Sequence, residues 1–401
     1  MNLSRTIIIV LFALIPAAAH TLTLILPSAD SAARIPVPVF KLQKSQTSGI
    51  VQVDKMSLQR SIQHMSGVAF IRRLGNSLRL HFHHELSWVL VGHGKPTMLF
   101  GSNELWVARG RTLENDSAAT SMTEQISIKR DQLEQKGWHL ILLPVPSKLS
   151  IYRHYLSWPN DGDNPYVSNP LPSDRTDELA DFMFASLKAR GISALDLRLT
   201  FRDWISHQNE SRFLYPPGES HWSGDGIRLA ASLTADYLAD HFALRRWQGG
   251  FSYFSYRNPN DLANALDVIP SLAGSFKQLL FYQDELIVNR FNTPIGSTQI
   301  SPGALIVVAG TSYSGQYWST IAPYRGDYPW VLQLHLEGVE VQNRASAGRG
   351  SYEGFEVFLK EADSIAAEFE KRNNLRESDY KRIIIWEFPF RDLLGMRYRI
   401  K

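Results

Sequence analysis

The chain has 401 residues, 44% of them hydrophobic and 20% charged, which is long enough to bury a substantial core. Its 42 basic and 39 acidic residues leave a net charge of +3 with no long run of one sign, so nucleic-acid binding has little electrostatic support. It contains no cysteine, which excludes thiolate catalysis, disulfides and cysteine-ligated metals.

At the N-terminus, Arg5 precedes an apolar run from Ile7 to Ala19, and Ala17-Ala18-Ala19 presents the small residues a signal peptidase accepts. The apolar stretch resumes as Leu22 to Leu26, and Thr6 to Leu26 taken whole is about 20 residues, the length of a membrane span. A cleaved signal peptide and a retained signal anchor both fit residues 1–26, and either carries the chain across the inner membrane into the periplasm. Residues 27–85 read as a linker and N-terminal extension, with Pro27, Pro36 and Pro38 at its start. Residues 86–396 read as one α/β domain.

Within it, Trp88–Val91 and Thr97–Phe100 are predicted short strands. His139–Pro144 is a continuous apolar run, as in a buried parallel strand. Leu179, Phe182, Met183 and Leu187 have helical spacing, so a helix is expected over Thr176–Arg190, with Gly191 ending it. Ala194–Leu197 is a predicted strand. Ser223 is placed to cap a helix running to about Tyr237, with Asp225 in its first turn. Residues from about 245 to 300 read as an insertion, aromatic and loop-rich where it starts at 251–256. Ala304–Val308, Gly338–Val341 and Arg382–Glu387 are further strands, and Glu356–Glu370 is a helix. This alternation predicts a mostly parallel sheet covered by helices on both faces.

Reactive groups of such sheets collect at the carboxyl ends of strands. Ser312, in Gly310-Thr311-Ser312-Tyr313-Ser314, follows a buried strand across a glycine, where a hydroxyl projects at the sheet edge beside backbone N–H groups. The same segment also reads as a Ser/Thr turn that caps the next helix. A serine nucleophile needs a base, and the base needs an acceptor on its other nitrogen. Glu219 and His221 stand two residues apart, on one face if the segment is extended. A helix-capping loop accounts for them equally well. His81, His83 and His84 cluster, but no carboxylate pattern completes a metal site, and no Walker loop, dinucleotide fingerprint or HExxH motif is present.

Four segments in order resemble the alginate O-acetyltransferase (AlgJ/AlgX-like) family, whose domain is SGNH-hydrolase-like. Ile141 to Lys148 is similar to its strand ending in Pro and Lys, and Glu219-Ser220-His221-Trp222 to its Asp-x-His-Trp motif. Gly310 to Ser314 matches its nucleophile motif residue for residue, and Ile385-Trp386-Glu387-Phe388-Pro389 is similar to its closing strand. The resemblance implies Ser312 as nucleophile, His221 as general base and Glu219 as the acid that orients it, although the family has Asp there. By analogy with SGNH-type folds, the Ser312 N–H and Gly348 are oxyanion candidates; a turn needing positive φ accounts for Gly348 as well. Tyr313, Trp222, Trp318, Tyr324 and Arg325 flank the motifs and are candidates to line a glycan cleft, with core packing the alternative for the aromatics.

The implied activity is O-acetylation of an exopolysaccharide, alginate or a related glycan such as cellulose, through an acetyl-serine and with no metal or cofactor. The implied partners are the glycan, a membrane-bound O-acyltransferase that supplies acetyl groups, and other acetylation and export proteins. The chain ends soon after Pro389, which fits the family's single-domain, membrane-anchored type rather than the type with a C-terminal carbohydrate-binding module. A carbohydrate acetylesterase with the same triad, and a non-catalytic polysaccharide-binding scaffold, are the alternative functions.

Overall fold

The computed structural model describes residues 42–44, 51–53, 85–86, 89–91, 98–101, 104, 110–156, 175–207, 212–257, 283–290, 303–315, 326–345 and 351–392. The N-terminal signal or anchor segment and the His81 cluster lie outside them. The chain divides into two compact units, one of residues 1–86 with 263–277 and one of residues 87–262 with 278–401. In the first, Leu42–Lys44 pairs antiparallel with Val51–Val53.

The second unit is built on a sheet of strands β1 (Trp138–Val145), β2 (Ser193–Ala194), β3 (Ala304–Ala309), β4 (Val339–Asn343) and β5 (Lys381–Pro389). Their order is β4-β3-β5-β1-β2, and each neighbouring pair is parallel. The longer helices among the described residues are α1 (Leu113–Glu134), α2 (Arg175–Ala189), α3 (Arg198–His207), α4 (Gly224–Phe242), α5 (Tyr328–His335) and α6 (Ser351–Asn373).

The central strands are apolar on both faces because both faces are covered. Ile141, Leu143, Ile306, Val308, Ile383 and Ile385 pack with α4 and α5 residues such as Ile227, Ala231, Leu238 and Leu332. The alternate residues Leu140, Leu142, Leu305, Val307, Ile384 and Trp386 pack with α1, α2 and α6. On α6 the buried set Phe355, Phe358, Ala362, Ile365 and Phe369 recurs every three or four residues, the repeat that puts one stripe of a helix against a sheet. Trp386 stacks on Phe355 with ring centroids 4.1 Å apart. Truncating Trp386 to Ala would cost about 3–5 kcal/mol in lost burial and cavity.

Most boundaries agree with the sequence expectations to within a few residues. Two differ for physical reasons. Residues 195–197 do not continue a strand: β2 ends at Ala194, and the Asp196 carboxylate then accepts from the Arg198 N–H at 3.0 Å, opening α3. The aromatic stretch expected to be loop-rich is a strand, Phe251–Arg257, paired antiparallel with Gln283–Arg290; aromatic side chains suit a pleated, half-buried surface. This pair packs on α4, where Gly224 is required because a Cβ there would run into the backbone carbonyl of Glu285. Asp225 stands in the first turn of α4, where the sequence places it, paired with Arg212 and Arg228.

Candidate active site

β3 ends at Ala309, and the chain turns through Gly310 and Thr311 into a single helical turn, Ser312–Gly315. The neighbouring strand β5 fixes this turn. Its Glu387 is fully buried and accepts hydrogen bonds from the Thr311 N–H at 2.8 Å, the Thr311 hydroxyl at 2.9 Å and the Ser314 N–H at 3.1 Å. Ser312 is thus held between two residues tied to one carboxylate. Burial raises the pKa of Glu387, and the bonds from Thr311 and Ser314 oppose that rise. Gly310 carries no Cβ because one would collide with Glu387 and approach the Ser314 hydroxyl to 3.0 Å.

The second half of the site is the loop before α4. Ser223 caps α4 by accepting from the Gly226 N–H at 3.1 Å, and its own N–H donates to Leu214 at 2.8 Å. The loop between them carries Glu219 and His221. Glu219 curls back, so that its Oε1 accepts from the Ser220 N–H at 2.8 Å and from the His221 Nδ1–H at 2.8 Å. Burial works to raise the pKa of Glu219, but the His221 ring and the backbone bonds outweigh it and hold the group down to about 2. An ionised Glu219 can only accept, so Nδ1 carries a proton, and in the neutral ring this leaves Nε2 as the acceptor. The Ser312 hydroxyl lies 2.7 Å from that Nε2. Two residues that share no local sequence are therefore joined in one line of hydrogen bonds, carboxylate to imidazole to hydroxyl.

The neighbours of these residues are stitched together as well. The Trp222 indole N–H donates to the Tyr313 carbonyl at 2.8 Å, and the Tyr313 hydroxyl donates to the Ser220 carbonyl at 2.7 Å. Both rings were candidates to line a glycan cleft. Trp222 is 0% exposed and Tyr313 1%, so they present no face for a sugar to stack on; instead they join the two halves of the site. The other candidates, Trp318, Tyr324, Arg325 and the oxyanion candidate Gly348, lie outside the described residues. Among the N–H groups of Thr311 to Ser314, those of Thr311, Tyr313 and Ser314 have acceptors on Glu387 or Thr311; the Ser312 N–H has none among the described residues.

Sequence reasoning places Lys148 and Glu387 inside motifs but gives them no role, and it passes over Glu104 and Arg391 altogether. A lysine or glutamate at the end of a continuous apolar run is the signal available, since such residues are seldom fully buried without a partner.

The chain is similar to several known proteins. The sequence model of the family described as SGNH hydrolase-like domain, acetyltransferase AlgX, matches residues 91–390. The probable alginate O-acetylase AlgJ of Pseudomonas putida is 23% identical over 340 residues, which span 80% of this chain and 76% of AlgJ. The solved O-acetyltransferase domain of Pseudomonas putida AlgJ has the same fold, with a TM-score of 0.51 at 23% identity over 76% of this chain and 92% of that one. The solved Pseudomonas aeruginosa AlgX is 17% identical, with a TM-score of 0.49 over 77% of this chain and 67% of that one. By the extent of the family match, this chain belongs to the SGNH hydrolase-like, AlgX-type acetyltransferase family.

Proposed function

We propose that the protein is a periplasmic O-acetyltransferase that acetylates hydroxyls of an exopolysaccharide, alginate or a related glycan, through an acetyl-Ser312 intermediate. The observation that carries the reading is the unbroken relay from Glu219 through His221 to Ser312, at 2.8 and 2.7 Å. Family membership supports acetyl transfer as the chemistry.

In the first half-reaction His221 Nε2 takes the Ser312 proton as Oγ attacks the acetyl carbonyl of a donor. The negative charge that develops on the carbonyl oxygen faces the Ser312 N–H, and the ionised Glu219 stabilises the imidazolium. The tetrahedral adduct then collapses, and the leaving group departs with the proton from His221. In the second half-reaction a sugar hydroxyl gives its proton to Nε2 and attacks the acetyl-serine; collapse returns the proton to Ser312 Oγ and releases the acetylated glycan. On this reading a membrane-bound acyltransferase delivers the acetyl group from the cytoplasmic side, the N-terminal segment targets or anchors the chain, and other acetylation and export proteins complete the assembly.

The test is incubation of the purified protein with an acetyl donor and oligosaccharides of candidate glycans, with mass spectrometry of the products. Oligomers carrying added acetyl groups are expected, and none with Ser312→Ala. Free acetate with no acetylated oligomer would refute transfer and favour an acetylesterase.

A further inference from the structure

Lys148 is fully buried, one residue into the short helix that follows β1, and it is not at the reacting atoms. Its Nζ donates to the carbonyls of Pro216 at 2.6 Å, Pro217 at 2.7 Å and Glu219 at 3.1 Å. These carbonyls belong to the loop that presents Glu219 and His221. An ammonium has three N–H groups and a neutral amine two, so three acceptors around one nitrogen fit the charged form. A buried cation requires a counter-charge. Glu104, also fully buried, supplies it: its carboxylate favours the charge on Lys148, and its Oε2 accepts from the Leu149 N–H at 2.7 Å.

The same Glu104 serves a second cation. Arg391 Nη1 lies 3.4 Å from Glu104 Oε1 and donates to the Tyr313 hydroxyl at 3.1 Å. Tyr313 in turn follows Ser312 and donates to Ser220 beside His221. One buried carboxylate therefore anchors two cations, one holding the base loop and the other holding the residue next to the nucleophile.

We infer that Lys148 and Arg391, with Glu104 as their shared counter-charge, are positioning residues that hold the Glu219–His221 loop against the Ser312 turn. The inference rests on the reading that Ser312, His221 and Glu219 carry acyl transfer. Replacing a buried ion triad by apolar residues often leaves stability unchanged or improved, so stability alone does not account for it, whereas a loop that must hold a proton relay to a fraction of an ångström does. The groups facing Lys148 are the Glu104 and Glu219 carboxylates and the Phe100 ring, 5.6 Å away. Burial draws the Lys148 pKa down to about 7 against the pull of both carboxylates, so the third bond is lost as pH rises past neutrality.

The experiment measures acylation of Ser312 by p-nitrophenyl acetate as a function of pH in the full chain. Lys148→Met is expected to lower kcat by about 100-fold with KM little changed, the scale of a roughly 1 Å misplacement at a reacting centre, and to remove the alkaline fall in rate. Glu104→Gln removes the counter-charge while keeping the shape, and moves the alkaline fall to lower pH by about one unit. A core variant such as Phe358→Leu, matched in lost melting temperature, retains the wild-type pH profile. A folded Lys148→Met with wild-type kcat, or a Glu104→Gln profile that coincides with wild type, overturns the inference; should Lys148→Met fail to fold, Glu104→Gln decides. Ser312→Ala run in parallel separates the two readings. If it still turns over, the proposed nucleophile is wrong; if it is dead while the Lys148 and Glu104 variants behave as wild type, only the positioning role is wrong.

Discussion

Glu219 is where this chain departs from the Asp that the family resemblance leads one to expect, and its charge can be tested apart from its shape. Glu219→Gln keeps an oxygen able to accept from the Ser220 N–H and the His221 Nδ1–H, but it removes the negative charge that meets the imidazolium. Two unit charges about 4 Å apart at an effective dielectric of about 20 interact by about 4 kcal/mol. The Glu219 side chain is 41% exposed and that of His221 25%, so solvent screening reduces this to roughly half. About 2 kcal/mol off transition-state stabilisation is roughly a 30-fold fall in kcat. Glu219→Asp tests the reach instead. The carboxylate retreats by about one bond, 1.5 Å, and either the Nδ1 contact stretches or the Ser220 contact is given up, for a loss of about 10-fold in kcat. The assay is steady-state release of p-nitrophenol from p-nitrophenyl acetate, with Ser312→Ala as the baseline. A Glu219→Gln enzyme within about 3-fold of wild type would show that Glu219 does not stabilise the imidazolium and that another carboxylate acts on His221.

Gly310→Ala forces a Cβ into Glu387, so it is expected to lose about 1–3 kcal/mol of stability together with most of the activity; calorimetry and the ester assay report both. Trp222→Phe keeps the buried ring but removes the buried bond from the indole N–H to the Tyr313 carbonyl, for a loss of about 1–3 kcal/mol by chemical denaturation. His335 provides a test in acid. Burial and the nearby Arg246, Arg228 and Arg290 lower its pKa from 6.5 to about 4. The unfolded chain therefore takes up this proton before the folded one does, and stability falls as pH drops from 6.5 towards 4, by about 3 kcal/mol in all. His335→Leu removes that acid slope from melting curves; an unchanged slope would assign it to another group.

The sheet was legible because its central strands carry continuous apolar runs that only a doubly covered parallel strand explains, and α2 and α6 because their apolar residues recur with helical spacing. Helix α1 was not, since its buried face includes Asn115, Ala118, Ala119 and Thr123 while its first residue, Leu113, is 93% exposed, so no apolar stripe stands out. The strand Phe251–Arg257 was obscured because its partner begins at Gln283, well down the chain. Within the site, Ser312 and His221 stood out only through the order of four motifs. Each segment alone reads equally as a capping turn, and Ser223 is indeed such a cap. The groups that hold the site in place were illegible because their partners are remote. Thr311 and Glu387 are 76 residues apart, and Glu104 and Arg391 are 287 apart.

The central claim is that Ser312 carries the acetyl group between donor and acceptor. Trapping it requires a brief reaction with an acetyl donor in the absence of glycan, an acid quench, and peptide mapping by tandem mass spectrometry. The expected result is one acetyl group on the Ser312 hydroxyl, absent from Ser312→Ala and discharged when glycan oligomers are added. An acetyl group on a different residue, or acetylated glycan formed by the Ser312→Ala protein, would contradict it.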